Sequence, residues 1–301
     1  MIRGKKVLVA GASGRIGAAV AMALATENEV WGLARFRDRD VRRRVTGAGV
    51  RCVPVDLSVA GPDELADRVP AVDYGLNFAV QMRPEPDFDR DFTCNAEPLA
   101  LLMAHCRTSG GFLHCSSTAV YEPAPTPRKE GDPLGDYMRA SHPTYSISKI
   151  ASEAVARSCA RQLALPTTIA RLNVPYSDTG GWLMMHLRGI LAGEPIPVHP
   201  HPPDVFAPLH EYDLVRTVPA LLAAAAVPAT VVNWGGDEPV GVGEWTRFMG
   251  ELVDREVHYL PTEAAIRGMN PDTTRLRSLI GGPASTIGWR DGVRRMVQAS
   301  R

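Results

Sequence analysis

The stretch Val7-Leu8-Val9-Ala10, followed by Gly11-Ala-Ser-Gly14-Arg-Ile-Gly17 and an alanine-rich run, constrains the fold of this chain more than any other feature. A short apolar run, then glycines at every third position, then helix-forming residues describe a strand, a tight turn and a helix. Glycines at such a turn let the backbone approach a pyrophosphate, which rests against the positive end of the helix. The spacing is G-x-x-G-x-x-G. Gly11, Ser13, Gly14, Arg15, Ile16 and Gly17 are therefore expected to cradle a dinucleotide, the competing reading being a tight turn with no ligand.

The pattern continues along the chain. Apolar runs rich in β-branched residues fall at 6–10, 29–34, 50–55, 73–79, 111–116, 166–172 and 230–234. Amphipathic segments at 15–26, 63–68, 95–108, 145–164 and 211–225 alternate with them. Strands apolar on both faces, separated by helices, predict an α/β fold: a Rossmann-type, doubly wound, mostly parallel sheet. Past residue 175 the texture changes. Six prolines (Pro195, Pro197, Pro200, Pro202, Pro203 and Pro208) rule out a central strand or a helix across 193–208. The expected organisation is a dinucleotide-binding domain over 1–174, with 211–234 returning to it. Residues 175–210 and 235–301 then form a smaller, discontinuous substrate-binding lobe.

Bulk properties narrow the function classes. The 301 residues carry 33 Lys and Arg against 33 Asp and Glu, so no global field favours nucleic acid or an anionic membrane. The apolar stretch Val218 to Val232 is interrupted by Pro219 and Pro228 and is too short to span a bilayer. No secretory leader is visible, and a cytoplasmic location is expected. The five cysteines are scattered without a C-x-x-C pair, which favours reduced thiols over disulfides or a zinc knuckle.

Strand ends supply the next candidates. The second strand runs Glu29 to Ala34 and is followed by Arg35 where an acidic residue would bind the ribose hydroxyl of NAD. A guanidinium suits a 2′-phosphate, so Arg35 predicts NADP(H) in preference to NAD(H). The rival reading makes Arg35 to Arg44 a solvated basic helix face. Asp56 and Leu57 close the third strand and are placed near the adenine, although a turn role suits Asp56 nearly as well. Phe78 and Ala79 close the fourth, where a small residue lets the cofactor lie close.

Tyr145-Ser-Ile-Ser-Lys149 carries the chemistry. Residues four apart share a helix face, so the Lys149 ammonium lies one turn from the Tyr145 phenol. A free phenol titrates near ~10, and a neighbouring cation favours the phenolate, which makes the pair a general acid/base for an alcohol or carbonyl. Ser116, Ser117, Thr118 and Tyr121 end the fifth strand, at the sheet edge where ligands bind. One of these hydroxyls would hold the substrate oxygen, and spacing alone does not select Ser117.

Taken together, Gly11/Gly14/Gly17, Asn95, Ser117-Thr-Ala-Val-Tyr121, Tyr145-x-x-x-Lys149, Arg171-Leu-Asn173, His210-Glu-Tyr-Asp213 and Gly288-Trp289 resemble the extended short-chain dehydrogenase/reductases. These form the superfamily of NAD-dependent epimerases and dehydratases, and the resemblance covers nearly the whole chain. It implies that Ser117, Tyr145 and Lys149 are catalytic, with Tyr145 and Lys149 also touching the nicotinamide ribose. It further implies that Thr118, Asn173, Trp182 and His210 face the substrate, and that paired helices make a homodimer. Thr118-Ala119 stands where the family's dehydratases place an acid, which argues against 4,6-dehydration. Glu122 replaces the usual glycine after the Val-Tyr pair.

The expected activity is thus NAD(P)-dependent hydride transfer at a secondary alcohol or ketone, ketoreductase-like. The alternatives are a nucleotide-sugar 4-epimerase that retains its cofactor and a non-catalytic NADP-binding sensor. His199, His201 and His210 lack a third ligand at diagnostic spacing, so no metal is expected. Trp182, Met184, Met185 and His186 read either as core or as the wall of an apolar substrate pocket.

Overall fold

The computed structural model describes residues 2–83 and 85–300. Chain order begins β1 (Lys6–Ala10), α1 (Arg15–Ala25), β2 (Glu29–Ala34), α2 (Arg39–Gly47), β3 (Arg51–Pro54), α3 (Pro62–Arg68) and β4 (Tyr74–Asn77). It continues with α4 (Phe88–Asn95), α5 (Pro98–His105), β5 (Gly111–Ser117), α6 (Tyr145–Gln162), β6 (Thr167–Leu172), β7 (Pro175–Ser177), β8 (Gly180–Gly181) and α7 (Trp182–Ala192). The remainder is β9 (Ile196–Val198), β10 (Leu209–His210), α8 (Glu211–Ala223), β11 (Thr230–Trp234), α9 (Val242–Val253), β12 (Tyr259–Pro261), α10 (Thr274–Ile280) and α11 (Trp289–Ala299).

Seven strands form the main sheet in the order β11-β6-β5-β4-β1-β2-β3. Strand β1 lies parallel to both β2 and β4, with Val7 opposite Val30 on one side and Tyr74 on the other. The chain winds outward in both directions from β1, as a doubly wound sheet must. Each of the seven expected strands is present within a residue or two of its expected ends. Their continuous apolar composition follows from burial on both faces: Leu8, Leu33, Leu76, Phe112 and Ile169 are all fully buried. Burial of such a side chain contributes about 1.5–3 kcal/mol.

The helix expected over 95–108 is α5, which starts at Pro98, and α4 precedes it over a stretch the sequence reading did not assign to a helix. Pro98 has no amide hydrogen to continue the α4 ladder and instead opens α5 at its first turn. Helices α9 and α11 add apolar faces that the sequence reading did not assign to helices.

The chain divides into two compact units. The first comprises Met1–Ser116, Ile147–Ala170 and Val218–Val232; the second comprises Ser117–Ser146, Arg171–Thr217 and Asn233–Arg301. The boundary expected at 174 therefore falls elsewhere, because 117–146 packs with the second unit. Within that unit the Tyr121 hydroxyl donates to Asn233 Oδ1 at 2.6 Å, Arg128 N–H bonds the Asn270 carbonyl, and Arg171 donates to the Glu130 carbonyl. The second unit's core joins Leu183, Leu187, Phe206, Trp245, Trp289 and Met296. Its proline-dense segment is irregular apart from short β9, which pairs with β12 as a two-stranded sheet where Pro197 breaks no longer ladder. No helix among the described residues is long and apolar enough to cross a membrane.

Candidate active site

In the first unit, a cavity of about 420 Å³ opens beside the turn between β1 and α1. Gly11, Ser13, Gly14, Arg15, Ile16, Gly17, Arg35, Asp56, Leu57, Phe78 and Ala79 all line it. The sequence placed each of these at a ligand. It did not single out Leu33, Ala34, Val55, Ser58, Val80, Gln81 and Cys94, which complete the wall. Most of these adjoin a strand end already named; Cys94, on α4, left no sequence signal.

The turn requires its glycines. Gly11 has φ +81°, and a Cβ there would stand 2.6 Å from the backbone of Phe78 and Ala79. A Cβ on Gly17 would collide with the Gly11 carbonyl. Gly14 caps α1 without a side chain, which leaves the amides of the first helical turn to an anion. A cavity of this shape, with open backbone donors at a helix N-terminus, fits the pyrophosphate and adenosine half of a nicotinamide dinucleotide.

Arg35 lines the cavity, but not as an isolated cation. Asp56 shares the rim, accepts the Ser58 hydroxyl at 2.7 Å, and is held below its usual carboxylate range by that bond and then by the charges of Arg35 and Arg37. A carboxylate on the same rim cancels part of the field a 2′-phosphate would need.

Helix α6 carries Tyr145 and Lys149 one turn apart. Lys149 is almost fully buried, and its Nζ donates to the Cys115 carbonyl of β5 at 2.9 Å. Burial holds the ammonium below its ordinary range, partly offset by Cys115 and Glu153. Asn95 adds another tie in the first unit: it accepts the Gln81 N–H at 2.6 Å and donates to the Gln81 carbonyl and to Ser148 Oγ. The cavity wall at Gln81 and the helix bearing Lys149 thus share one side chain.

The structure separates the four hydroxyls that spacing left equivalent. Ser116 donates to Glu153, Thr118 bonds Asn173 and the Leu172 carbonyl, and Tyr121 donates to Asn233. All three are buried. Ser117 is half-exposed; its oxygen accepts the Ala119 N–H at 3.1 Å, and its proton remains to donate. It is the hydroxyl of this group that is open to a substrate oxygen.

Three residues expected at the substrate are committed internally. Asn173 donates to Thr118 Oγ1 and the Met269 carbonyl and accepts the Ala207 N–H, all at 2.9 Å or less. Both of its amide hydrogens are thus committed within the protein, and Thr118 is spent in the same clamp. His210 Nδ1 accepts the Tyr212 N–H, so its Nε2–H points at Asp178. A polar residue at a motif position is here a structural hub.

Trp182 differs. It packs on His186, Phe206 and Trp245, and with Met185, His186, Ile196, Ile266, His142 and Ser141 it lines a cavity of about 260 Å³ within the second unit. Its role as core and as pocket wall are both realised. His199 and His201 each reach Glu263, at 3.1 and 3.2 Å. Among the described residues no group of side chains is arranged to hold a metal ion.

Fold and cavity together define an α/β protein with a cavity shaped for a dinucleotide. A profile of the NAD dependent epimerase/dehydratase family matches residues 7–233, and the chain belongs to that family. It is an NAD(P)-dependent oxidoreductase of the extended short-chain type. None of the curated proteins matches the sequence.

Solved structures share its fold. MoeE5, in complex with UDP-glucuronic acid and NAD, superposes with a TM-score of 0.81 at 24% identity, covering 98% of this chain and 99% of the other. UDP-glucuronic acid 4-epimerase from Bacillus cereus, with UDP-glucuronic acid and NAD, gives 0.84 at 17% identity and 98% coverage of both chains. UDP-glucose 4-epimerase from Thermotoga maritima, with UDP-glucose, gives 0.82 at 18% identity and the same coverage. The first two hold NAD, against the NADP expected from Arg35. The carboxylate of Asp56 on the same rim weakens the case that an arginine after β2 makes for a 2′-phosphate.

Proposed function

We propose that this protein oxidises and re-reduces one secondary carbinol of a nucleotide-linked sugar, as a 4-epimerase with NAD retained. The observation that carries the chemistry is the combination on the chain itself: Ser117 as the open hydroxyl, with Tyr145 and Lys149 on one face of α6. The UDP-sugars held by similar folds supply the substrate class.

Gly11 to Gly17 would hold the pyrophosphate of NAD, and Asp56, Leu57, Phe78 and Ala79 the adenine end. Bound NAD supplies a reversible two-electron hydride acceptor. Ser117 donates its hydrogen bond to the reacting oxygen and fixes it toward Tyr145. The Tyr145 phenolate accepts the carbinol proton and, as phenol, returns it when the ketone is reduced from the other face. Lys149, whose ammonium donates to the Cys115 carbonyl and whose burial is partly offset by Glu153, favours that phenolate. Homodimerisation through α5 and α6, and a cytoplasmic location, belong to this proposal; light scattering of the purified protein tests the first.

A second reading is a net ketoreductase. It is favoured by the apolar second-unit cavity, whose wall of Trp182, Met185, Ile196 and Ile266 contains no Lys or Arg to meet a diphosphate. The deciding experiment follows purified protein by proton NMR with UDP-glucuronic acid and UDP-glucose while absorbance at 340 nm is recorded. Epimer formation at constant absorbance supports the first reading. Stoichiometric NAD(P)H loss with an added ketone, and no epimer, overturns it in favour of the second.

A further inference from the structure

A file of buried polar groups runs beneath the site, wholly inside the first unit, and takes no part in the chemistry described above. It starts at the Ala79 N–H, which donates to Asn77 Oδ1 at 3.0 Å. That leaves the Asn77 amide nitrogen facing His114 Nδ1 at 3.3 Å. On the far side of the ring, His114 Nε2 lies 2.9 Å from Ser152 Oγ. Ser152 in turn donates to the Lys149 carbonyl at 2.8 Å.

Each link dictates the next. Because Asn77 Oδ1 accepts, its nitrogen must donate, so His114 Nδ1 is an acceptor. Because the Ser152 proton is spent on the Lys149 carbonyl, Ser152 Oγ must accept, so His114 Nε2 carries the hydrogen. All donors therefore point one way, from the Ala79 turn to Lys149. Asn77, His114 and Ser152 are at most 3% exposed, so water does not replace any link at low cost.

From this geometry we infer that His114 is a positioning residue: a neutral, Nε2-protonated imidazole that couples the Phe78–Ala79 wall of the dinucleotide cavity to the helical turn carrying Lys149. Burial, and then the Lys149 charge, push the imidazole well below its ordinary range, in keeping with a ring that stays neutral. The adjacent β5 residues reinforce the link, since the Cys115 carbonyl accepts from Lys149 and Ser116 donates to Glu153. Three consecutive residues of β5 thereby fix one stretch of α6.

The inference rests on the cavity and Lys149 serving one reaction, and its test separates the two ideas. His114→Leu removes both ring hydrogen bonds, whereas His114→Gln keeps a donor and an acceptor. Calorimetry with NAD, which needs no substrate, is expected to show about tenfold weaker binding for His114→Leu and partial recovery in His114→Gln. Turnover of the Leu variant should fall by a similar factor with KM little changed, again with recovery in the Gln variant. If both variants lose only melting temperature, with NAD affinity and kcat intact, His114 is merely a core residue and the inference fails. Should the Leu variant not fold, ¹⁵N shifts of the wild-type ring at pH 7 decide the matter. A protonated Nε2 and bare Nδ1 support the file, and the opposite tautomer or an imidazolium overturns it. A fully active Tyr145→Phe protein would sink the catalytic proposal while leaving the NAD affinity and tautomer results standing.

Discussion

The two units handle polar groups in opposite ways. In the first, the cavity is lined by the glycine turn and by strand-end side chains, and its walls are held from behind by Asn77, Asn95 and His114. In the second, the polar residues at motif positions are turned inward: Asn173 clamps Thr118, Ala207 and Met269, and Asp213 collects Arg216, Thr286 and Ile287. Burial raises Asp213, yet those donors outweigh it and leave the carboxyl below its ordinary value. The lesson is that a motif residue marks a geometric requirement, and that the requirement is as often a fold contact as a ligand contact.

The sharpest break in this comparison is Tyr145→Phe. It should lower kcat by about 10²–10⁴, the range for a lost general acid/base, while NAD affinity measured by calorimetry stays within twofold. Gly17→Ala should act through backbone alone. Its Cβ meets the Gly11 carbonyl, and NAD affinity should fall by about ten- to a hundredfold with the second unit's near-UV circular dichroism unchanged.

A pH experiment probes the second unit. His186 accepts the Trp245 indole N–H at 2.9 Å, and burial pushes its pKa down to about 4. The folded chain therefore binds fewer protons than the unfolded one between about pH 6.5 and pH 4. Its contribution is complete above pH 6.5 and is lost as acid is added, about 3 kcal/mol by pH 4. Urea midpoints across that range should drop less steeply in His186→Gln. Asn173→Ala should cost about 2 kcal/mol of stability, because it strands a buried N–H and a carbonyl, and should leave KM for substrate nearly unchanged. A large KM increase at unaltered stability would return Asn173 to the substrate. Trp182→Ala has the smallest kinetic effect expected, widening the 260 Å³ cavity and shifting KM by a few-fold.

Much of the first unit was legible because its requirements are local. The strands are apolar on both faces, and Gly11 and Gly17 sit where only a backbone can. Two adjacent signals misled for equally physical reasons. Arg35 read as a phosphate ligand because the carboxylate that answers it, Asp56, arrives from another strand. The helix over 95–108 was started three residues early, and α4 before it was passed over, because Pro98 sits inside an otherwise continuous apolar pattern. His114 gave no signal at all: a histidine in an apolar strand looks like any satisfied core residue until Asn77 and Ser152 are brought to either side of it. In the second unit the chain partners of Asn173 lie up to 96 residues away, so its clamp was invisible to any local pattern.

The ladder joining residues 114–116 to 149–153 has a practical consequence for redesign. Sliding or rotating α6 by one position breaks every rung together, so the phase of Tyr145 and Lys149 resists small insertions upstream. Loop grafts that keep Met138 and His142, which bond the first turn of α6, then leave the register of that helix to the ladder.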